Sequence, residues 1–478
     1  MRRKKNSSNR EDRELLVKLE ARFDYFSHLG IDKDPVFKPA INLSCLNWPD
    51  GRLCFVATAF LQEQFEKNCA TEIRGGTLRT KGYHLTHLIR FCYQSKTDFI
   101  DLTDAQFTLF ANNMLTGANI PGNPLSGLLR NGSVPYEICR DSLDFLEYVG
   151  KFSGKPELVS KHGQIRAERV TQSHIDETTG VIVTRISWAR DGLPRRGEVR
   201  TRQAISDENL KKLTSSVKLV VKQGNFTIYR KRRMHVILRL LRILGCRRTE
   251  LVLLKVSDFE QAEKMASPKL TVTTLKHKKP ETRRIDINHV EIREVLNFVK
   301  YFRSTVIGAT CGDRSDDGFL LISATTGKRL AENTITQLIR ELKVAAEISE
   351  QTCAHMFRNL FIVERLCYLM EKHKMLNKDE FKRALIDKHT LLKDVMKETG
   401  QKNMRTILRY LEGAEAKLAN LALTKKSVRA DLLEDSLRVC QEQHLSRMSE
   451  GVSELVSLRI FQDSVAAARK EASALSSS

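Results

Sequence analysis

The feature that most restricts the fold of this chain is a strongly basic stretch with apolar residues at regular spacing. Residues 201–250 contain 13 lysines and arginines against 3 acidic residues, which is +10 of the total net charge of +22. Within this stretch, apolar side chains recur at helical intervals from Ile228 to Leu244. The pattern predicts a helix with one face in a hydrophobic core and a cationic face opposite. Such a face is typical of proteins that bind a polyanion, so we expect nucleic-acid binding.

Length and composition exclude several other classes. With 478 residues, 41% of them hydrophobic, the chain is long enough for two or three domains and too apolar for a disordered basic tail. No run approaches the roughly 20 apolar residues of a membrane span, and Met1–Lys5 is not followed by an apolar signal segment. The 10 cysteines are scattered without metal-binding spacing and are expected to be reduced. We therefore expect a cytoplasmic protein that associates with the nucleoid and not with a membrane.

Local signals predict a mainly α, two-domain protein: an all-helical domain, then a helical domain with a small antiparallel β-sheet. Thr103 and Gln106 form a capping box, and Ser206 is a typical N-cap for a helix that opens the second domain. Two strands with a turn between them are predicted within residues 270–275 and 283–287. The predicted segments are a basic N-terminal tail or arm (1–50), a small helical domain (51–155), a linker (156–203), a larger second domain (204–412) and a helical C-terminal tail (413–478).

Two motifs in the second domain provide cationic side chains suited to a phosphate. Arg247 follows the basic helix, and Glu250 lies three residues later, where a carboxylate can hold the guanidinium for bidentate contact with a phosphate. Lys276 stands at the end of the first predicted strand, where its ammonium can reach a leaving oxygen. Lys278 and Lys279 in the same turn are alternatives to it.

Two further motifs follow in the same domain. His355 and Arg358 are three residues apart, which places both on one face of a helix. Gly400 and Gln401 come next, and Tyr410 follows Gln401 by nine residues. Each of these residues alone suits an ordinary structural position, but their number and order indicate a site.

Taken together and in order, the four motifs resemble those of the tyrosine recombinase or phage integrase family, over about residues 51–412. Members of that family look like G-[LC]-R-x-x-E-L, a hairpin lysine, H-x-x-R, and L-G-[HW] with a tyrosine nine residues further on. The segment from Tyr136 to Tyr148 is similar to part of the family's helical core-binding domain, and 204–412 then corresponds to its catalytic domain. The resemblance implies catalytic roles for Arg247, Lys276, His355, Arg358, Gln401 and Tyr410, with Glu250 in support.

The implied activity is the cleavage and rejoining of DNA through a covalent 3′-phosphotyrosine. Tyr410 would attack the phosphate, Lys276 would protonate the leaving 5′ oxygen, and His355 would act as the base. The two arginines and the histidine would stabilise charge on the non-bridging oxygens. Because the covalent bond conserves the energy of the phosphodiester, neither ATP nor a metal ion is required. The implied partners are double-stranded DNA, a homotetramer assembled on it, and accessory DNA-bending or directionality proteins, in the setting of a mobile element.

Two departures from the family pattern leave other functions open. Gln401 stands where the family usually has His or Trp, and its amide donates hydrogen bonds but exchanges no proton near neutral pH. The 55 residues from His355 to Tyr410 exceed the usual spacing, which predicts an extra helix in 375–397 that either displaces Tyr410 or decorates the surface. The alternatives are a catalytically silent DNA-binding accessory protein of the same fold and a type IB topoisomerase-like enzyme.

In the C-terminal tail, apolar residues from Leu433 to Leu455 recur at three- and four-residue steps. This spacing suits packing of the tail on its own domain or on a neighbouring protomer.

The basic stretch supplies the residues expected to contact DNA, which are Arg230, Lys231, Arg232, Arg233 and Arg248.

Overall fold

The computed structural model describes residues 14–19, 23–40, 43–67, 76–116, 132–175, 182–197, 203–221, 224–274, 281–375, 377–387, 389–400, 404–423 and 428–476. These residues form two compact units whose boundary in the sequence falls at about residue 200. Each unit has its own hydrophobic core. Helices dominate, and the described strands form small two-stranded sheets, most of them antiparallel. The predicted mainly α class is therefore confirmed.

The first unit has a helical hydrophobic core. Phe60, Phe107 and Phe145 are almost completely buried in it. The predicted capping box is present, since the Thr103 backbone N–H donates to Gln106 Oε1 at 2.9 Å and the Gln106 N–H donates to Thr103 Oγ1 at 3.3 Å. The helices of this unit are α1 (Phe55–Glu66), α2 (Gly76–Ser95), α3 (Asp104–Thr116) and α4 (Ser133–Phe152).

The N-terminal region, predicted as a tail or arm, is folded where the structure describes it. Its strands are β1 (Leu16–Lys18), β2 (Phe23–Leu29), β3 (Pro35–Ala40) and β4 (Ser44–Leu46). β1 pairs with β4 and β2 with β3, both antiparallel. Leu16 and Leu46 are buried in the core of the first unit. Pro35 and Pro39 lie on β3, and a strand paired only with β2 among the described residues tolerates proline.

The segment 156–203, predicted as a linker, is folded onto the helices of the first unit over its described residues. Its strands are β5 (Val159–Ser160), β6 (Ile165–Arg166), β7 (Glu168–Ile175) and β8 (Ile182–Ala189). β7 and β8 form an antiparallel hairpin. Trp188 on β8 is buried, and its indole N–H donates to Asp144 on α4 at 2.9 Å. Arg190 donates to Asp104 on α3 at 2.8 Å. The burial of Trp188 and these hydrogen bonds are why this polar segment does not behave as a linker.

The second unit begins with the elements that the sequence predicts. Ser206 caps the first helix, because its Oγ accepts the Asn209 N–H at 3.2 Å. The predicted strand pair is present as β9 and β10, which are antiparallel with Val272 opposite Arg283. The elements are α5 (Asp207–Val220), α6 (Thr227–Leu244), α7 (Arg248–Val252), α8 (Val256–Glu263), β9 (Lys269–Thr274) and β10 (Glu281–Asp286).

The rest of the second unit is helical. The helices are α9 (His289–Phe298), α10 (Ser304–Thr310), α11 (Glu332–Ala345), α12 (Ala354–Lys372), α13 (Lys378–Asp387), α14 (His389–Thr399), α15 (Met404–Leu408), α16 (Leu411–Leu423), α17 (Val428–Ser449) and α18 (Glu454–Ser476). The predicted extra helix in 375–397 is thus two helices, α13 and α14. None of the described helices combines the length and apolarity that crossing a membrane requires.

The C-terminal tail packs on its own unit in this chain. Cys440 on α17, Val290 on α9, and Ala467 and Ala468 on α18 share a small buried cluster. His444 on α17 stacks on Phe461 of α18 with ring centroids 5.1 Å apart. Of the two packing modes that the apolar stripe allows, the structure contains the intramolecular one.

Candidate active site

The turn from α6 into α7 positions the first predicted arginine. Gly245 ends α6 in the left-handed conformation, with a φ of +52°. A Cβ atom at Gly245 would lie 2.4 to 2.8 Å from atoms of Phe361, so glycine is required for space as well as for conformation. Arg247 is the N-cap residue of α7, and its side chain is 30% exposed. The tight turn therefore presents Arg247 at the start of a helix with its guanidinium accessible to a ligand.

Glu250 is the buried carboxylate of this site. It accepts the Arg247 backbone N–H at 3.0 Å and Arg247 Nη1 at 2.6 Å, and Arg283 Nη2 also donates to it at 3.3 Å. Burial raises the pKa of Glu250, but the charges of Arg283 and Arg247 and the hydrogen bond from the Arg247 N–H outweigh it, so the pKa lies below its usual value. Glu250 thus stays ionised and holds the Arg247 guanidinium in place.

Arg358 lies on α12 and reaches the same turn. It is 2% exposed, and its Nη1 donates to the carbonyl oxygen of Gly245 at 2.7 Å. Its Nη2 donates to the carbonyl oxygens of Thr399 and Gly400 at 3.2 and 3.1 Å. Burial, together with the charges of Arg283 and Arg247, lowers the pKa of Arg358 to about 10. The fold therefore brings together the two arginines that the motifs singled out.

The extra residues before Tyr410 contribute to this site. Helix α14 ends at Thr399, which is buried, and Gly400 follows with a φ of +63°. A Cβ atom on Gly400 would lie 3.1 Å from Arg283 Cδ and 3.3 Å from Arg358 Nη2. The inserted helices therefore end against the arginines, so they are more than surface decoration.

Tyr410 remains close to the arginines despite the insertion. It lies between α15 and α16, and its hydroxyl donates to Asn359 Oδ1 at 2.9 Å. Asn359 is buried and follows Arg358 directly on α12. Burial raises the pKa of Tyr410, and the positive charges of Arg358 and Arg409 oppose that effect. The phenol is consequently protonated at neutral pH and hydrogen-bonded beside the arginine cluster.

The other predicted catalytic residues have different positions with respect to the described structure. His355 lies in the first turn of α12, exposed to solvent, three residues before Arg358. Lys276 and Gln401 fall outside the described residues, so their roles stay predictions.

The structure adds one arginine that the motifs missed. Arg283 on β10 is 8% exposed, and its Nη2 donates to the carbonyl oxygens of Leu244 and Gly245 at 3.1 and 3.4 Å as well as to Glu250. The available signal was strand alternation, because Arg283 shares a face of β10 with buried Ile285 whereas Arg284 is exposed. A cation on the buried face of a strand requires a partner, and here that partner is Glu250.

The prediction of DNA contacts is wrong for two of the five basic residues, because their side chains are buried within the second unit. Arg232 is 4% exposed, donates to Gln443 Oε1 at 2.8 Å and forms an ion pair with Glu450. Arg233 is 7% exposed and donates to the carbonyl oxygen of Ile322 at 2.6 Å. These guanidiniums hold distant parts of the fold together and do not face solvent.

The remaining three of those residues lie nearer to solvent. Arg230 and Lys231 are half-buried at the start of α6. Arg248 is exposed at the first position of α7, where its Nη1 donates to Thr336 Oγ1 at 3.1 Å. Their contact with DNA stays a prediction, and Arg248 is placed best for it.

Acidic side chains neutralise much of the charge of α6. Arg239 forms an ion pair with Glu291, and Arg242 forms ion pairs with Glu364 and Asp435. The cationic face of this helix is therefore largely covered by other helices of its own unit. The net charge of the stretch alone overstates the surface available to a polyanion.

Comparisons with known proteins give a limited result. No family model matches the sequence, and no curated protein matches it. Among solved structures, XerA recombinase matches with a TM-score of 0.30 and 12% identity, over 78% of this chain and 99% of that chain. XerH site-specific recombinase matches in a pre-cleavage complex with its difH substrate, with a TM-score of 0.41 and 15% identity, over 70% of this chain and 76% of that chain. Its post-cleavage complex with palindromic difH gives a TM-score of 0.42 and 14% identity, over 77% and 88%. These TM-scores are low, so the functional proposal rests on the side chains of this chain itself.

Proposed function

We propose that this chain is a tyrosine-type, site-specific DNA recombinase, which cleaves and rejoins DNA through a covalent 3′-phosphotyrosine. The observation that carries the proposal is a cluster of three arginines, Arg247, Arg283 and Arg358, close to the carboxylate of Glu250. Tyr410 is hydrogen-bonded to Asn359, the residue after Arg358. Among the described residues, these three guanidiniums and one carboxylate leave an excess of positive charge in a largely buried place. An anion that fills this place is the expected ligand.

A phosphodiester is the anion that we propose for this cluster. Guanidinium groups match the oxygens of a phosphate in a bidentate geometry. The lowered pKa of Arg358 supports the same conclusion, because burial and the neighbouring cations make its charge costly until an anion binds. A nearby phenol adds a nucleophile to the phosphate site. Together these groups suit cleavage of a nucleic-acid strand.

The proposed reaction uses Tyr410 as the nucleophile. Its oxygen forms a bond to phosphorus, the bond from phosphorus to the 5′ oxygen breaks, and the phenol proton is lost as the leaving oxygen gains one. The arginines stabilise the negative charge on the non-bridging oxygens. His355 is the proposed base and Lys276 the proposed acid. Rejoining is the reverse reaction, in which the 5′ hydroxyl attacks the phosphotyrosine.

The proposed substrate, partners and location follow from the resemblance of the motifs to those of tyrosine recombinases. The substrate is double-stranded DNA, bound by a homotetramer with accessory DNA-bending or directionality proteins, in the cytoplasm, for the integration or excision of a mobile element. The arginine cluster supports only the phosphate-binding part of this setting.

The test is capture of a covalent adduct from a library of random-sequence duplexes, each carrying a nick near its centre. The nick lets a short cleaved fragment diffuse away, so the adduct accumulates. We expect an adduct that survives denaturation, attached at Tyr410 by mass spectrometry of the digested protein. Tyr410→Phe should bind DNA and give no adduct, whereas Tyr301→Phe, which alters another partly buried tyrosine of the same unit, should behave as wild type.

Other outcomes of this experiment favour the alternatives. DNA binding by the wild-type protein with no adduct from the whole library would contradict the proposal and favour a silent DNA-binding protein. An adduct at Tyr410, combined with relaxation of supercoiled plasmid by the monomer and no strand exchange, would favour a type IB topoisomerase-like enzyme.

A further inference from the structure

Arg283 carries hydrogen-bond donors that the described protein does not use. Its Nε and Nη1 are buried without a hydrogen-bond partner in the described structure. Its Nη2, in contrast, is shared among the carbonyl oxygens of Leu244 and Gly245 and the carboxylate of Glu250. Leaving buried donors unpaired costs free energy, so such atoms require an explanation. A ligand that supplies acceptors is one.

The unpartnered donors lie beside Arg358. The Cβ atom that Gly400 lacks would lie 3.4 Å from Arg283 Nε and 3.3 Å from Arg358 Nη2. Both guanidiniums therefore border the Gly400 peptide. That peptide supplies its carbonyl oxygen to Arg358, while Nε and Nη1 of Arg283 have no acceptor in the part of the chain that the structure describes.

The charges of the cluster indicate the sign of the ligand. Among the described residues, Glu250 is the carboxylate that forms ion pairs with Arg247 and Arg283, and the charges of Arg283 and Arg247 help to lower the pKa of Arg358. An anion beside Arg283 and Arg358 would offset this repulsion. A second carbonyl oxygen would not, because it carries no net charge.

We infer that Arg283 is a third phosphate-binding arginine, which donates through Nε, the unpartnered donor that borders Gly400, to a non-bridging oxygen of the scissile phosphodiester. In the DNA complex, that oxygen takes the place next to the arginines that the Gly400 peptide now holds, and Arg358 binds the phosphate with the donors released by that peptide. Gly400 permits this exchange because it has no side chain to keep the place filled. The inference rests on the proposed function and assigns a further residue to the same reaction.

The first test compares cleavage rates on a duplex recovered by adduct capture. Arg283→Met removes the donors and the charge, and we expect a rate lower by a factor on the order of 10². Arg284→Met is the matched control, because Arg284 is the exposed neighbour on the same strand. It should cleave within about twofold of the wild-type rate. Arg283→Met cleaving at the wild-type rate would overturn the inference and leave the proposed function intact.

A second test separates contact with phosphate from support of the fold. The scissile phosphate is replaced by a methylphosphonate, which lacks one negative charge and one acceptor oxygen, and its two stereoisomers are assayed separately. One stereoisomer lacks the oxygen that Arg283 is proposed to bind. On that stereoisomer, Arg283→Met should cleave at a rate within about threefold of the wild-type rate. An undiminished difference on both stereoisomers would mean that Arg283 acts through the fold, and it would overturn the inference.

A third variant covers the case in which Arg283→Met does not fold, as judged from its thermal unfolding. Arg283→Lys keeps a cation beside Glu250 but lacks the planar fork. It should cleave the phosphodiester about 10-fold more slowly than wild type and show the same narrowing on one methylphosphonate stereoisomer. Cleavage of the phosphodiester at the wild-type rate by Arg283→Lys would overturn the inference. No adduct from the wild-type protein on any duplex would instead overturn the proposed function itself.

Discussion

Arg358 Nη2 donates to the carbonyl oxygen of Gly400 at 3.1 Å, so a backbone group from the end of the inserted segment closes the arginine cluster. This contact occupies a donor that the proposed reaction needs for the phosphate. In the proposed DNA complex, a charged phosphate oxygen replaces this carbonyl oxygen. The exchange is favourable at the guanidinium, because hydrogen bonds to an ionised acceptor are stronger than those to a neutral one.

Gly400→Ala tests how closely the backbone approaches the arginines. Gly400 and Gly451 both have left-handed φ values, +63° and +81°, but a Cβ atom at Gly451 meets nothing within 4 Å. The left-handed backbone alone should make each alanine substitution cost roughly 1–2 kcal/mol in the free energy of unfolding, measured with urea, and this is the whole cost expected at Gly451. Only Gly400→Ala should cost more than this and also slow DNA cleavage, because its methyl group contacts Arg283 and Arg358. Equal effects of the two substitutions on stability and cleavage would contradict the described packing.

Glu250→Gln should make stability less dependent on pH. The pKa of Glu250 is lowered in the folded protein, so its carboxylate adds stability above the unfolded value of about 4.3 and loses that contribution as pH falls through the folded-state pKa. At pH 7 we expect the variant to be less stable by about 3 kcal/mol, because Arg283 loses its buried anionic partner. The gap between the two proteins should narrow below about pH 4. Urea unfolding of both proteins from pH 7 to pH 3 measures it, and a constant gap would contradict the ion pairing.

Arg232→Met should destabilise the second unit and have little direct effect on DNA contacts. Glu450 is almost as buried as Arg232, so removal of the guanidinium leaves an unpaired carboxylate at a cost of roughly 3–5 kcal/mol. The double variant Arg232→Met with Glu450→Met should recover most of that loss. Lys231→Met, next to it but only half-buried, is the control and should change stability by about 0.5 kcal/mol or less. No recovery in the double variant would mean that the pair is not the source of the effect.

Arg248→Ala should reduce the salt dependence of DNA binding. If the exposed guanidinium neutralises one phosphate, the slope of log K against log[salt] should become shallower by about 1 for any DNA sequence. Arg233→Met should leave the slope unchanged, because Arg233 is buried against a carbonyl oxygen. Titrations at several salt concentrations measure both slopes. A shallower slope for Arg233→Met with an unchanged slope for Arg248→Ala would contradict the buried position of Arg233 and the exposed position of Arg248.

Much of the fold followed from local sequence signals, because those signals act over a few residues. The capping box at Thr103, the N-cap at Ser206 and the β9–β10 pair each depend on neighbours in the chain, and all three are confirmed. Whether the arginines of the basic stretch are buried or exposed depends on residues far away in the sequence. A helical pattern shows that Arg232 lies on α6, but it cannot show that Glu450 lies opposite.

In the candidate site, too, local motifs identified some residues and only the fold revealed the others. The motifs singled out Arg247, Glu250 and Arg358, and the fold brings them together. Arg283 was missed because strand alternation reports a buried position without naming the partner that makes burial of a cation possible. The insertion before Tyr410 was recognised from its length, but only the folded chain places its end, Gly400, against the arginines.

The ion pair between Arg232 and Glu450 also sets an order of events while the chain is being made. The two residues are 218 positions apart. At about 5–20 residues per second, a ribosome adds the acidic partner roughly 10–40 s after the basic helix has been synthesised. Throughout that interval, the helix that leads into the Arg247 turn carries an uncompensated guanidinium. Until residue 450 has been added, Arg232 cannot form this ion pair, so α6 reaches its final packing in the second unit only after α17 has been synthesised.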